Sequence, residues 1–195
     1  MRTSLLALLL VAPLLVGCQP AAPAAVPPTP VPENNPVLVG LAREDQAYQA
    51  GAQLARKDED RVRLVLAELG AGRVHTPADR FNVAIVLQHS PMTFRGDALV
   101  AISPDNYLLG HHLATAAFEA GYAPARELVA QSIDRYLSVT TGSQRYGTNR
   151  FINQATGAEE LAPIDRATTD AERSRYGVPL LADLLQQYPE AALRR

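Results

Sequence analysis

One cysteine, Cys18, constrains this chain more than any other residue. It closes an apolar run from Leu5 to Val16 and opens a proline-rich stretch. With its only thiol at residue 18, the rest of the chain has no disulfide framework, no cysteine nucleophile and no cysteine-ligated metal. The fold must therefore be held by packing and hydrogen bonds. The apolar run is too short to cross a bilayer, which takes roughly 20 residues, and Pro13 interrupts it. Residues 1–17 instead have the layout of a secretory signal, with Arg2 ahead of the apolar segment and Gly17 before the cysteine. Residues 18–36 read as a tether, because Pro20, Pro23, Pro27, Pro28, Pro30, Pro32 and Pro36 favour extended polyproline geometry of about 3.1 Å per residue. Residues 37–195 are then expected to form a single α-helical domain with one core.

Charge narrows the partners. Eighteen Lys and Arg against 20 Asp and Glu give a net charge of −2 and a pI near 6.1, which lacks the basic excess of a nucleic-acid binder. Charged residues at 19% and a mean hydropathy of −0.06 exclude a wholly disordered chain and a multi-span membrane protein.

Leu15-Val16-Gly17-Cys18 resembles the bacterial lipobox. The resemblance implies cleavage before Cys18 and acylation of both its sulfur and its new amine. Each buried CH₂ contributes about 0.8 kcal/mol, so two or more chains hold a protein stably on a membrane. The implied address is the bacterial cell envelope, on the non-cytoplasmic side, either periplasmic or at the cell surface. Gln19, where Asp would retain the protein, permits sorting to the outer membrane and equally leaves open the outer face of the cytoplasmic membrane.

From residue 37 onward the apolar spacing is helical almost throughout, so the expected class is mainly α. Helices are expected over 41–54, 58–69 and 77–89, the last opened by Thr76 as N-cap, Pro77 at the first position and Asp79 in the first turn. Residues 90–103 form a loop or insertion. Ser103-Pro104-Asp105 repeats the capping pattern and starts a helix to Ala120, and Pro124 restarts the chain into a helix ending at Gly142. The small residues Ala114, Ala117, Ala120, Gly121 and Ala125 at that junction resemble the close-packing positions of a tetratricopeptide-like helical pair. A β-hairpin is expected near residues 148–162. Thr169 to Glu172 reads as a capping box for a short helix, followed by a last one from Pro179 to Tyr188.

Four polar residues are candidates for chemistry. Phe81, Ile85 and His89 share one helical face, and Leu108 and His112 share another with His111 turned roughly 100° away, so one histidine of that pair is expected to face inward. Asp134 and Gln144 follow, so that His89, His112, Asp134 and Gln144 could meet on one polar cluster if their helices pack side by side. Such a cluster would suit general acid/base work, with His89, His112 and Asp134 as catalytic candidates, or a metal site on the same three residues, or it would be a buried hydrogen-bond network. No spaced ligand motif accompanies these residues, so neither a metal nor another cofactor is expected. Ser90 and Ser132 lack a nucleophile elbow. His75 reads as a solvated loop residue, and Arg56 to Arg63 as a solvated helix entry.

Gln88-His89, Asp134-Arg135, Gln144-Arg145-Tyr146-Gly147-Thr148 and Asp170-x-x-Arg173, with Gly177-Val178-Pro179-x-Leu181, resemble the ordered motifs of an uncharacterised bacterial family of helical domains. The likeness covers roughly residues 76–181. Here Asn149 stands where that family has Gln, and the 90–103 segment is longer. The resemblance implies a helical fold and no particular reaction. It adds Gln88, Arg135, Gln144, Tyr146 and Thr148 as candidate binding residues. The expected function is a lipid-anchored interaction or scaffold module that engages another envelope protein or peptide. An envelope hydrolase or ligand-binding enzyme built on the His89, His112, Asp134 and Gln144 cluster is the alternative.

Overall fold

The structure is a computed structural model and describes residues 32–95, 98–153, 155–191 and 193–194. The lipobox, Cys18 and the tether up to Val31 lie outside the described residues. No helix among the described residues is long and apolar enough to cross a membrane.

The chain is mainly α. Helix α1 spans Pro36–Gln49, α2 Asp58–Gly70 and α3 Pro77–Gln88. Strands β1 (Met92–Arg95) and β2 (Ala98–Ala101) come next, followed by α4 (Pro104–Glu119) and α5 (Arg126–Thr141). Strands β3 (Arg150–Ile152), β4 (Glu159–Leu161) and β5 (Ile164–Asp165), helices α6 (Asp170–Tyr176) and α7 (Leu181–Gln187), and β6 (Leu193–Arg194) complete it.

The folded part begins earlier than the proline pattern suggests. Pro36 is the first residue of α1, with the Asn35 side chain accepting from Val37 N at 2.9 Å. Asn35 N donates to Asp79 Oδ1 at 2.7 Å and its Nδ2 to Glu68 Oε2 at 2.7 Å, so the start of α1 is fastened to α2 and α3. At Thr76 the expected cap is a full capping box: Asp79 N donates to Thr76 Oγ1 at 3.0 Å, and Thr76 N to Asp79 Oδ2 at 3.2 Å. The other two caps differ from expectation. Ser103 precedes α4 without a side-chain cap bond. Thr169 accepts from Glu172 N at 3.2 Å, but the Glu172 carboxylate does not return the bond because Arg145 and Tyr146 hold it.

The largest apolar cluster lies between α1, α2 and α3, where Leu38, Leu41, Val65, Val83 and Leu87 are buried. A second joins α3, α4 and α5 through Ala84, Ala114, Leu128 and Val129. Gly110 lets α4 approach α3 closely, since a Cβ there would already lie 3.4 Å from the Ala84 carbonyl oxygen. Of the small residues expected to pack closely where α4 meets α5, Ala114, Ala117 and Ala125 are fully buried, whereas Ala120 and Gly121 are exposed because the chain leaves α4 there.

Residues 90–103 hold an antiparallel hairpin, with Met92 opposite Ala101 and Arg95 opposite Ala98. The hairpin expected near 148–162 is β3 paired antiparallel with β4, Arg150 opposite Leu161. β5 pairs in parallel with β6. Two small apolar clusters, Ala130 with Tyr146 and Val178, and Leu161 with Ile164 and Leu184, pack this C-terminal part.

Candidate functional site

The motif residues do not converge on one site. They divide between two polar assemblies and an exposed helix face.

The first assembly is built on Asp134, a fully buried carboxylate of α5. Gly142 ends α5 in the left-handed conformation, and the chain turns back so that residues 145–148 present their N–H groups to Asp134. Oδ1 accepts from Arg145 N at 2.7 Å and Tyr146 N at 2.9 Å. Oδ2 accepts from Thr148 N at 2.9 Å and Thr148 Oγ1 at 2.8 Å. The turn requires Gly147 at φ +77°, where a side chain would be strained and would overlap Leu184.

The carbonyl side of the same loop faces Arg173 of α6, which is also fully buried. Its Nη1 donates to Tyr146 O at 2.8 Å and its Nη2 to Arg145 O at 3.0 Å. A carboxylate therefore satisfies the loop's donors and a guanidinium its acceptors, which is how a non-helical backbone segment is tolerated in the interior. Burial pushes the Asp134 carboxyl above its ordinary range, against the opposing pull of the loop hydrogen bonds. Burial likewise pushes Arg173 down, opposed by Asp134 and neighbouring acidic groups.

Gln144 closes the loop at its base, its Oε1 accepting from Asn149 N at 2.8 Å and its Nε2 donating to Ala162 O at 2.9 Å. Position 149 thus contributes its backbone here. Tyr146 OH donates to Glu172 Oε1 at 2.7 Å, and burial together with this acceptor pushes the phenol pKa well up.

The second assembly surrounds His89, which is the C-cap of α3. Its partner is Asp45 of α1. His89 Nδ1–H donates to Asp45 Oδ2 at 2.7 Å, with the imidazole 20% exposed and the carboxylate 1% exposed. Arg61 Nε stands 3.9 Å from Asp45 Oδ1, and the same guanidinium pairs with Asp58 and lies over the Tyr48 ring.

Sequence spacing misses both partners. Arg61 belongs to the run read as a solvated helix entry, yet it is fully buried. Periodicity carried the signal, since Asp45 continues the buried stripe of Leu38, Leu41 and Ala42, and Arg61 adjoins Val62 and Val65.

One histidine of the His111 and His112 pair faces inward as expected, but it is not the cluster candidate: His112 is exposed. His111 is the inward residue, its Nδ1–H donating to Val129 O at 2.9 Å, and burial pushes its pKa below 6.5. The buried stripe of α4 runs through Tyr107, Gly110, Ala114 and Ala117, one residue out of step with Leu108 and His112. The predicted quartet is therefore not assembled: Asp134 and Gln144 hold one loop, His89 pairs with Asp45, and His112 faces solvent.

The remaining candidates are placed as follows. Ser90 and Ser132 donate to the carbonyls of Leu87 at 2.8 Å and Leu128 at 2.6 Å, which occupies both hydroxyls. His75 is exposed, as expected. Among the described residues, no group of three or more His, Cys, Asp or Glu is placed to hold a metal ion. Gln88 and Arg135 lie where α3, α4 and α5 meet. Gln88 Nε2 donates to Gln131 O at 3.2 Å, and the Arg135 guanidinium is 5.9 Å from the centre of the Tyr107 ring.

Fold and site together define a mainly α domain whose C-terminal segment is fastened by a buried carboxylate and a buried guanidinium. No family model, no curated protein and no solved structure matches this chain.

Proposed function

We propose that this chain is a lipid-anchored protein of the bacterial cell envelope, held on the non-cytoplasmic side by acyl groups on Cys18. Its helical domain acts as an interaction or scaffold module for another envelope protein or peptide. The domain is a member of the helical family whose motifs it resembles. One observation carries the reading. Asp134, Gln144 and Thr148, the polar motif residues best suited to chemistry, spend their hydrogen-bonding capacity on an internal loop. A buried carboxylate already saturated by backbone donors supports a rigid scaffold better than a proton-transfer site.

The test has two parts. Labelled palmitate should be incorporated into the full chain and lost in Cys18→Ser. A photo-crosslinking residue placed in turn at exposed positions, His112 among them, should give a discrete adduct with one envelope component in living cells. Diffuse or absent adducts at every position would overturn the interaction reading, and palmitate-free protein would overturn the anchor.

A second reading has one observation in its favour. The His89 and Asp45 pair at 2.7 Å is the arrangement that orients an imidazole for general-base work, which an envelope hydrolase would need. Hydrolysis of a panel of esters and amides by the full chain, abolished in His89→Gln with unchanged unfolding, would favour it over the scaffold.

A further inference from the structure

The parallel pairing of β5 with β6 does not continue backwards along the chain. Ile164 lies opposite Leu193 and Asp165 opposite Arg194, so the same register would set β4 beside residues 187–190. Those residues do not form a strand. Tyr188 N donates to Leu184 O at 2.9 Å, Pro189 has no N–H, and Ala191 N donates to Tyr188 O at 3.0 Å, so the segment closes α7 in a turn. The two stretches stand apart, and a cleft of about 280 Å³ opens between residues 158–161 and residues 187–191.

The edge of β4 on this cleft is unpaired. Asn153 N donates to Ala158 O at 2.9 Å, and hydrogen-bonded and non-hydrogen-bonded pairs alternate along an antiparallel ladder. Phe151 and Glu160 are therefore the next bonded pair. Glu159 and Leu161 belong to the non-bonded pairs, so their N–H and C=O groups point away from β3, towards the cleft. No described residue bonds to them there. Such an edge accepts a further strand, and a strand added here restores the hydrogen bonds that the turn after α7 withholds.

Charge selects the occupant. Glu159, Glu160 and Glu190 line the cleft, and among the described residues no Lys or Arg does. Glu159 accepts from Tyr188 OH at 2.6 Å and stands 3.8 Å from Arg150, whereas Glu160 accepts from Asn153 Nδ2 at 2.7 Å. Neither Glu160 nor Glu190 has a cationic partner among the described residues. Successive residues of a strand face opposite ways, so Glu159 and Glu160 place a carboxylate on each face of the edge. Leu161 shares the Glu159 face, and the exposed Phe151 stands opposite Glu160, which supplies an apolar neighbour on both faces.

We propose that the outer edge of β4 is a docking site for an extended peptide segment carrying Lys or Arg, which adds as a strand and sets its cations against Glu159, Glu160 and Glu190. The proposal rests on the interaction-module reading and supplies the surface and the chemistry of the partner.

The experiment follows the backbone amide resonances of the detergent-solubilised full chain during four separate titrations. The probes are a short capped peptide of alternating valine and lysine, the same peptide N-methylated at every residue, its valine and glutamate counterpart, and spermidine. The lysine peptide should give saturable shifts at the Glu159 and Leu161 amides and slow their exchange with water. The glutamate peptide should need about tenfold more for the same response, while the methylated peptide and spermidine should leave both amides unmoved. Glu190→Lys, at an exposed position, should weaken the lysine peptide several-fold. Equal responses to the lysine peptide and spermidine would reduce the cleft to an acidic surface and overturn the proposal. Equal responses to the plain and methylated peptides would do so by removing strand pairing, and equal responses to the lysine and glutamate peptides by removing the choice of charge. Absence of any saturable shift would also overturn it. These comparisons use the wild-type chain and stand even if the variant fails to fold. A negative result here with discrete crosslinks in cells would leave the scaffold reading standing, whereas loss of both would remove it.

Discussion

Replacing Asp134 by alanine tests whether a single carboxylate holds the C-terminal segment to the bundle. The substitution leaves four donors without an acceptor: the amides of Arg145, Tyr146 and Thr148, and the Thr148 hydroxyl. At the low end of about 1 kcal/mol for each unsatisfied donor, the loss is about 4 kcal/mol, because the loop opens to water before larger penalties accumulate. For a domain of this size each kcal/mol moves the thermal midpoint by roughly 2–4 °C, so the expected fall is about 8–16 °C. Asp134→Asn should cost about half as much, since one oxygen still accepts while the new amide faces the Thr148 donors. Circular dichroism would give the midpoint. Amide exchange would show where protection is lost, at residues 144–149 and α6 first, with α1 to α3 unaffected. Unchanged exchange at Arg145, Tyr146 and Thr148, or a neutral-pH midpoint equal to wild type, would refute the brace.

Three further outcomes follow from the same geometry. Gly147→Ala combines a positive φ with an overlap against Leu184 and should destabilise by about 2–4 kcal/mol; in a Leu184→Ala background, itself weakened by lost packing, the same change should cost less by only the steric part. His111 has a folded pKa pushed below 6.5 by burial, so the unfolded chain takes up its proton first and stability falls as pH drops through that range. In His111→Asn, midpoints measured on either side of pH 6.5 should show a shallower acid dependence. Thr76→Ala removes the capping box and the bond to Asn34 and should cost about 1 kcal/mol in chemical denaturation, with no change in the denaturant slope.

Much of the fold was legible in residue order because its helix boundaries are written in local chemistry. Thr76-Pro77 and Gly142 mark ends that coincide with the observed ones, and the β3 and β4 hairpin lies inside its expected span. Facing was less legible. In α4 the large residues pointed to Leu108 and His112, but the buried stripe passes through Gly110, Ala114 and Ala117, since small residues are what let α3 and α5 come close. The site was legible only as a set of motifs. Asp134 and Gln144 are linked by one loop, and periodicity has no term for a carboxylate that binds backbone amides eleven residues and more along the chain. His89 was sought near His112, whereas its partner is Asp45 on α1, contributed by a helix that the motif spacing did not include.

The buried charges impose a last consequence. Asp134 and Arg173 each carry a desolvation cost, visible in their opposite pKa displacements, and each is compensated through the same loop. Neither is well compensated without the other, because Asp134 orders the loop whose carbonyls Arg173 needs. Their contributions to stability should then be strongly non-additive. Arg173→Met alone should cost about 3–5 kcal/mol as a broken buried charge arrangement. In the Asp134→Ala background the same change should cost less by about 1–3 kcal/mol, the coupling typical of residues in one network. Urea denaturation of the wild type, both single variants and the double variant gives the four free energies required. Additive losses would mean that the two charges hold separate parts of the chain, and that the loop between them is not the element joining α6 to α5.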